Sequence, residues 1–262
     1  MDGATVAAAA VLVPERIEEA GLNAVQTQRQ LFFDGWLLRL SPGKAKRARC
    51  VNAAFGSTLP LADKIAHCED VYGQHALPLL FRVTPFDRPA DLDGVLGARG
   101  YLAFDETLVQ AVPLAGAPGV PDAADGVTVA AVDVDGFVAA VGALRHSPAA
   151  QREAQRERLA NSPLPGRRLV VRAADRIVCA AQTSLDGGLA GLFDVVTDDG
   201  ARGRGYATLA CAALLDWARR QGALGAYLQV DATNAPASAV YRKFGFATVY
   251  RYHYRGRPGE CR

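Results

Sequence analysis

Apolar residues recur at near-helical spacing in some stretches of the chain and alternate or run together in others, and these two periods divide it into elements. In the first half a helix is predicted from about Pro14, where a proline suits the first turn and Glu15, Glu18 and Glu19 suit the positive helix end. Leu31 to Leu40 (LFFDGWLLRL) and Arg47 to Ala53 read as two strands of a hairpin joined by the turn Ser41-Pro42-Gly43-Lys44. Leu59 to Tyr72 carries Leu61, Ile65, Cys68 and Tyr72 at helical spacing. Leu79 to Val83 then reads as a strand, Leu92 to Arg99 as a short helix, and Leu102 to Val112 as a strand.

Leu114 to Asp125 is dominated by Ala, Gly, Pro and Asp without apolar periodicity, which predicts a linker. The domains expected are therefore 1–114 and 126–262, with 115–125 between them. In the second, Val127 to Val132 reads as a strand and Val134 to Leu144 as a helix. Arg145 to Pro165, with its polar run Gln151 to Arg158, makes a second helix or a mobile flap. Arg168 to Arg172, Ile177 to Thr183 and Leu189 to Val196 are predicted as three antiparallel strands. A long helix from Gly205 to Arg220 follows, stopped at Gly222, then a strand from Ala226 to Val230 that a crossover helix would place parallel to its predecessor.

Composition narrows the class. The 262 residues suffice for one large or two small cores, half of them hydrophobic, and the formal net charge is +2. A balance so near zero argues against a nucleic-acid partner, although Lys44 to Arg49 form a local basic cluster. The five cysteines are scattered without Cys-x-x-Cys pairs, which points to a reducing compartment and to neither a disulfide scaffold nor a zinc site. Met1 to Val13 lacks a basic residue before its apolar run and makes a poor signal peptide; no apolar segment approaches the roughly 18 residues of a membrane span. A cytoplasmic protein with no membrane partner is expected.

Chemistry concentrates where the third strand of that trio meets the long helix, at VVTDDGARGRGYATLACAALL, Val195 to Leu215. Gly203 and Gly205 allow a sharp turn that aims several N–H groups at one spot, and Arg202 and Arg204 add charge, so the stretch suits an anion. It is not a P-loop, since no Lys-Ser/Thr follows the second glycine, nor a dinucleotide fingerprint, since Thr208 stands where the third glycine belongs. It resembles the Arg/Gln-x-x-Gly-x-Gly/Ala signature of the GNAT superfamily of N-acetyltransferases, met by Arg202, Gly205 and Ala207. A second block, Val230 to Phe246, is similar to the same superfamily, with Asn234 before a helix, Tyr241 seven residues on, then Gly245-Phe246. The resemblance covers roughly Val127 to Tyr254.

It implies a mixed, mostly antiparallel sheet flanked by helices, an α/β (α+β) fold, with acetyl-CoA as acyl donor, no metal, and direct transfer of the acetyl group to a primary amine in a ternary complex. By the same resemblance, the backbone of Val195 and Val196, with Thr197, holds the pantetheine arm, and Arg202, Gly203, Arg204, Gly205, Tyr206, Ala207 and Thr208 hold the pyrophosphate. Asn234 contacts the cofactor arm, and Tyr241 is the candidate acid for the coenzyme thiolate. Asp194, beside the expected thioester, is the candidate base, with positioning of the amine or bonding to the loop as its other reading. His146 and His253 sit in no motif.

A coenzyme-binding sensor or regulatory module without transfer activity would carry the same motifs. The order helix, strand, helix, strand also recurs in the first half, where Asn52 to Thr58 replaces the glycine loop, so 1–114 reads either as a degenerate GNAT-like repeat, with coenzyme bound only by the second domain, or as an unrelated α+β domain. The acceptor class is a small-molecule or peptide amine, and the chain is a monomer or a homodimer.

Overall fold

The computed structural model describes Ala8, residues 10–116 and residues 119–261. Residues 1–7 and 9 of the alanine-rich start, and 117 and 118 of the expected linker, lie outside the described residues. The chain divides into two compact units: a larger one of Met1–Ala24, Val109–Val230 and Asn234–Val249, and a smaller one of Val25–Leu108, Asp231–Thr233 and Tyr250–Arg262.

Helix α1, Pro14–Asn23, opens the larger unit with proline at its start and buries Ile17, Ala20 and Gly21. Asn23 Nδ2 donates to Asp186 Oδ2 at 2.9 Å, tying its end to the rest of that unit.

In the smaller unit the expected strand Leu31 to Leu40 is itself a hairpin. It divides into β1, Gln30–Phe33, and β2, Trp36–Arg39, paired antiparallel with Phe33 opposite Trp36. The cause is the Asp34-Gly35 pair, with φ of 41° and 83°: two consecutive left-handed residues form the tight turn that matches strand twist. The expected strand Arg47 to Ala53 shrinks to β3, Val51–Asn52, behind a 3-10 turn at Lys46–Ala48. The Asp34 carboxylate accepts the N–H of Thr58 and of Leu59, both at 3.0 Å, and Lys64 Nζ donates to the Asp34 carbonyl at 2.6 Å and to Ser57 Oγ. Lys64, almost wholly buried on α2 (Leu61–Gln74), also lies 4.1 Å above the Trp36 ring, so its charge is compensated from several sides. β4, Leu80–Val83, runs parallel to β3, as the crossover by α2 requires. Helix α3, Leu92–Ala98, and strand β5, Leu102–Pro113, follow. Trp36, Ile65, Tyr72, Phe81 and Tyr101 form the core of this unit.

The larger unit resumes at β6, Val127–Ala131, and α4, Val134–Leu144, whose N-cap Asp133 accepts the N–H of Gly136 at 2.8 Å. The ambiguous stretch after it is a helix, α5, Ala149–Ala160. Strands β7 (Gly166–Ala173), β8 (Arg176–Asp186) and β9 (Leu189–Thr197) continue antiparallel from β6. Helix α6, Tyr206–Arg220, crosses over to β10, Gly225–Asp231, which pairs parallel to β9. Helix α7, Ala235–Arg242, leads to β11, Ala247–Gly256. Side chains alternate across the sheet: Val170 and Ala180 pack against Phe137 of α4, whereas Cys179 lies toward Cys211 of α6. The two helices thus cover opposite faces. Burying a side chain such as Phe137 completely stabilises by about 1.5–3 kcal/mol.

The last residues of β11 belong to the smaller unit, where His253 to Gly256 pair antiparallel with Val83 to Leu80 of β4. The boundaries between units therefore fall after α1, inside β5, at the end of β10, just before α7 and inside β11.

Candidate functional site

Two irregularities of β9 open a cleft in the larger unit. Its parallel pairing with β10 ends at Leu192 opposite Leu228, although β9 runs on to Thr197 and β10 to Asp231. In the same place the antiparallel register with β8 slips, from Gln182 opposite Phe193 to Ala180 opposite Val196, so β9 carries one extra residue. This is a β-bulge, with Asp194 at a φ of 50°. A bulge leaves backbone groups out of the ladder and re-aims the strand, and Val195, Val196 and Thr197 beyond it line the cleft.

The loop after β9 turns through a 3-10 segment, Asp199–Ala201, and two glycines, Gly203 and Gly205, at φ of 77° and 83°. A Cβ on either would meet nothing within 4 Å, so conformation, not space, is what asks for glycine there. α6 then begins with no side-chain cap and no acidic residue in its first turn. Its first intrahelical bond is Leu209 N–H to Gly205 O at 2.9 Å, which leaves the N–H groups of Gly205, Tyr206, Ala207 and Thr208 at the open positive end. Arg202 pairs with Asp199 at 2.6 Å on the surface. Arg202, Arg204 and Lys243 put three cationic residues along the cleft wall.

Helix α7 forms the other side. Asn234 Oδ1 accepts the N–H of Ala237 at 3.1 Å, and Tyr241 stands on the inward face, buried and edge-on to Phe246 with ring centroids 6.1 Å apart. Burial, reinforced by Cys211 and Cys179 nearby, raises the Tyr241 pKa well above the usual phenol value, so the hydroxyl keeps its proton.

Each residue expected to hold cofactor, from Val195, Val196 and Thr197 through Arg202 to Thr208 and Asn234, lines this one cleft of about 380 Å³, together with Tyr241. Sequence reasoning missed Ala201, Pro236, Ala237, Val240 and Lys243 in its lining. Once Tyr241 faces inward, Ala237 four residues before it and Val240 beside it follow from the helical period, which is the signal that was there to find.

Asp194 does not line the cleft. Its carboxylate is engaged by other side chains, accepting Arg145 Nη1 at 2.8 Å, Gln182 Nε2 at 2.8 Å and Gln155 Nε2 at 3.1 Å, with Arg158 Nη2 at 3.7 Å. Burial pushes its pKa up, but the charges of Arg145 and Arg158 outweigh this and hold the carboxyl below its ordinary value. That is opposite to the shift a general base needs. His146 is exposed at a φ of 51°, and His253 pairs with Asp93 at 2.9 Å in the smaller unit. Among the described residues, no cluster of His, Cys, Asp and Glu could hold a metal, and no helix is long and apolar enough to cross a membrane.

Comparison with known proteins places this geometry. The chain is 26% identical over 230 residues to Uncharacterized N-acetyltransferase YobR of Bacillus subtilis (strain 168), covering 84% of this chain and 89% of that protein. Its fold matches a GCN5-related N-acetyltransferase from Kribbella flavida, with a TM-score of 0.69 at 19% identity over 99% of this chain and 97% of the other. A tandem GNAT protein from the clavulanic acid biosynthesis pathway matches with a TM-score of 0.62 at 17% identity, over 79% and 74% of the two chains. The family model described as Probable histone acetyltransferase Rv0428c C-terminal matches residues 15–255. The chain belongs to that family, and is an N-acetyltransferase of the GNAT type.

Proposed function

We propose that this acetyltransferase takes its acetyl group from acetyl-CoA and passes it directly to a primary amine, with donor and acceptor held at the same time. The observation that carries the reading is the uncapped start of α6, which opens onto the same cleft as the bulged end of β9 and the phenol of Tyr241. When bound, acetyl-CoA supplies an acetyl group activated as a thioester.

The chain's own groups fit that donor. The amides of Gly205 to Thr208, with Arg202, Arg204 and Lys243, suit a diphosphate. The backbone of Val195 to Thr197, released from pairing with β10, is free to bond an extended amide-bearing arm, as a neighbouring strand would. Asn234 has its carbonyl occupied by the helix cap and its Nδ2 left to donate. Tyr241, kept protonated by burial, can donate a hydrogen bond to a departing sulfur. The proton of the incoming amine is lost to water, since the oxygens of Asp194 are already engaged.

The arrangement of the smaller unit supports a tandem origin. β3, α2, β4, α3 and β5 repeat the order of β9, α6, β10, α7 and β11, with parallel pairing across the first helix in both. The division at 115–125 then separates the two repeats along the sequence. Asn52 to Thr58 stands in place of the glycine loop, so one coenzyme binds per chain. The five cysteines are free, which supports action in the reducing cytoplasm. A small-molecule or peptide amine is the acceptor.

Release of free thiol from acetyl-CoA, measured with a polyamine, an amino acid, an aminoglycoside and a peptide with a free N-terminus, tests the reading. Amine-dependent release is expected with at least one of them. Coenzyme binding without release from any would favour a sensor instead.

A further inference from the structure

Asp194 is a mostly buried carboxylate that the proposed chemistry does not use, and its surroundings are unusual for a residue beside a reacting centre. Donors reach it from three separate elements: Arg145 at the end of α4, Gln155 and Arg158 on α5, and Gln182 on β8. Its own backbone sits at the left-handed position of the β9 bulge, which glycine would occupy without strain. The chain places there a residue that must be held in that conformation, and the carboxylate is what the neighbours hold.

We infer that Asp194 is a positioning residue, a latch that fastens the arm made of α4 and α5 to the bulge immediately before the cleft-lining segment Val195 to Thr197. The inference rests on the acetyltransferase reading for its catalytic consequence, not for the latch itself. The donors of α4 and α5 bring the arm against the residue that immediately precedes the cleft-lining segment Val195 to Thr197, on the acyl end of the cleft and away from the diphosphate end at α6. Fixing the arm sets the approach of the acceptor. The diphosphate end at α6 is served by different residues, so the larger part of donor affinity is kept when the latch is lost, and only the donor's contacts with Val195 to Thr197 weaken.

Three variants of the full chain separate the roles. Asp194→Gly keeps the bulge conformation and removes the carboxylate, Asp194→Asn removes only the charge and one acceptor, and Arg145→Gln removes the opposite partner. Hydrogen–deuterium exchange is expected to quicken at least tenfold in both α5 and residues 194–197 for each variant, with the double variant Asp194→Asn/Arg145→Gln no faster than the worse single one. Acetyl-CoA affinity should stay within about threefold. kcat/KM for the best amine of the panel should fall about tenfold, while the ascending limb of the pH–rate profile stays where it is in the wild type.

Unchanged exchange in α5 would overturn the latch, as would an Asp194→Gly variant that behaves like the wild type. A thousandfold loss of kcat with the ascending limb abolished would make Asp194 the base instead. Should the wild type bind no acetyl-CoA, the acetyltransferase chemistry fails while the exchange data still decide the latch. Should either Asp194 variant fail to fold, Arg145→Gln, on an exposed helix end, carries the same measurements.

Discussion

Asn234 Oδ1 accepts the backbone N–H of Ala237 at 3.1 Å, and this one bond decides which end of the side-chain amide faces the cleft. The carbonyl caps α7 and the NH₂ group is left to donate. The two duties can be separated. Asn234→Asp keeps a capping oxygen and loses the donor, so thermal stability should hold while acetyl-CoA affinity falls severalfold. Asn234→Ala loses both, and should also lower stability by about 1 kcal/mol, the usual worth of an N-cap. Thermal unfolding and calorimetry on the two variants check this.

Gly205 is at a φ of 83° with open space around the position of a Cβ. Gly205→Ala therefore meets no clash, only the left-handed penalty of about 1–2 kcal/mol. If the loop relaxes to avoid that strain, the amides at the start of α6 lose their common aim. Acetyl-CoA should bind about tenfold more weakly, a change worth about 1.4 kcal/mol. Calorimetry reads it directly.

Tyr241→Phe removes the hydroxyl and keeps the ring that packs against Phe246. Donor affinity and melting temperature should be nearly unchanged. Turnover should fall about a hundredfold, at the lower end of what a positioned proton donor contributes. Steady-state rates of thiol release test it, and an undiminished kcat would remove Tyr241 from the chemistry.

The legible parts of this chain were the ones coded locally. Arg202, Gly205 and Ala207 declare the turn and the open helix start, because glycine at a left-handed position is a property of a single residue. Asn234 at a helix entry is equally local. The Asp34-Gly35 turn was hidden because β2 is buried at all four positions, Trp36 to Arg39, so no alternation marks where one strand stops and the next begins. The bulge at Asp194 could not be read, since what holds it is Arg145, 49 positions earlier, and α5. The pairing of β11 with β4 was equally beyond local rules: Tyr254 meets Arg82 across the sheet through a register that nothing near either residue encodes.

Asp34 makes a pH-dependent contribution to the smaller unit. The N–H of Leu59 first, then the hydroxyl and N–H of Thr58, hold its carboxyl well below the usual carboxylate range. A carboxyl depressed in the folded state adds stability that is fully present above the unfolded value of about 3.9 and is lost as pH falls toward the folded one. The difference in melting temperature between wild type and Asp34→Asn should accordingly be flat above about pH 5 and shrink below about pH 4. A difference that stays constant down to pH 2.5 would show that the ionised carboxylate contributes nothing.

The proposed function requires the cleft closed by the end of β9, the open start of α6 and the inner face of α7 to take the acyl donor. Isothermal titration calorimetry of the full chain with acetyl-CoA measures this with no acceptor required. One saturable site per chain is predicted, weakened by Gly205→Ala. Absence of binding at millimolar acetyl-CoA, or binding that Gly205→Ala leaves untouched, would contradict the account.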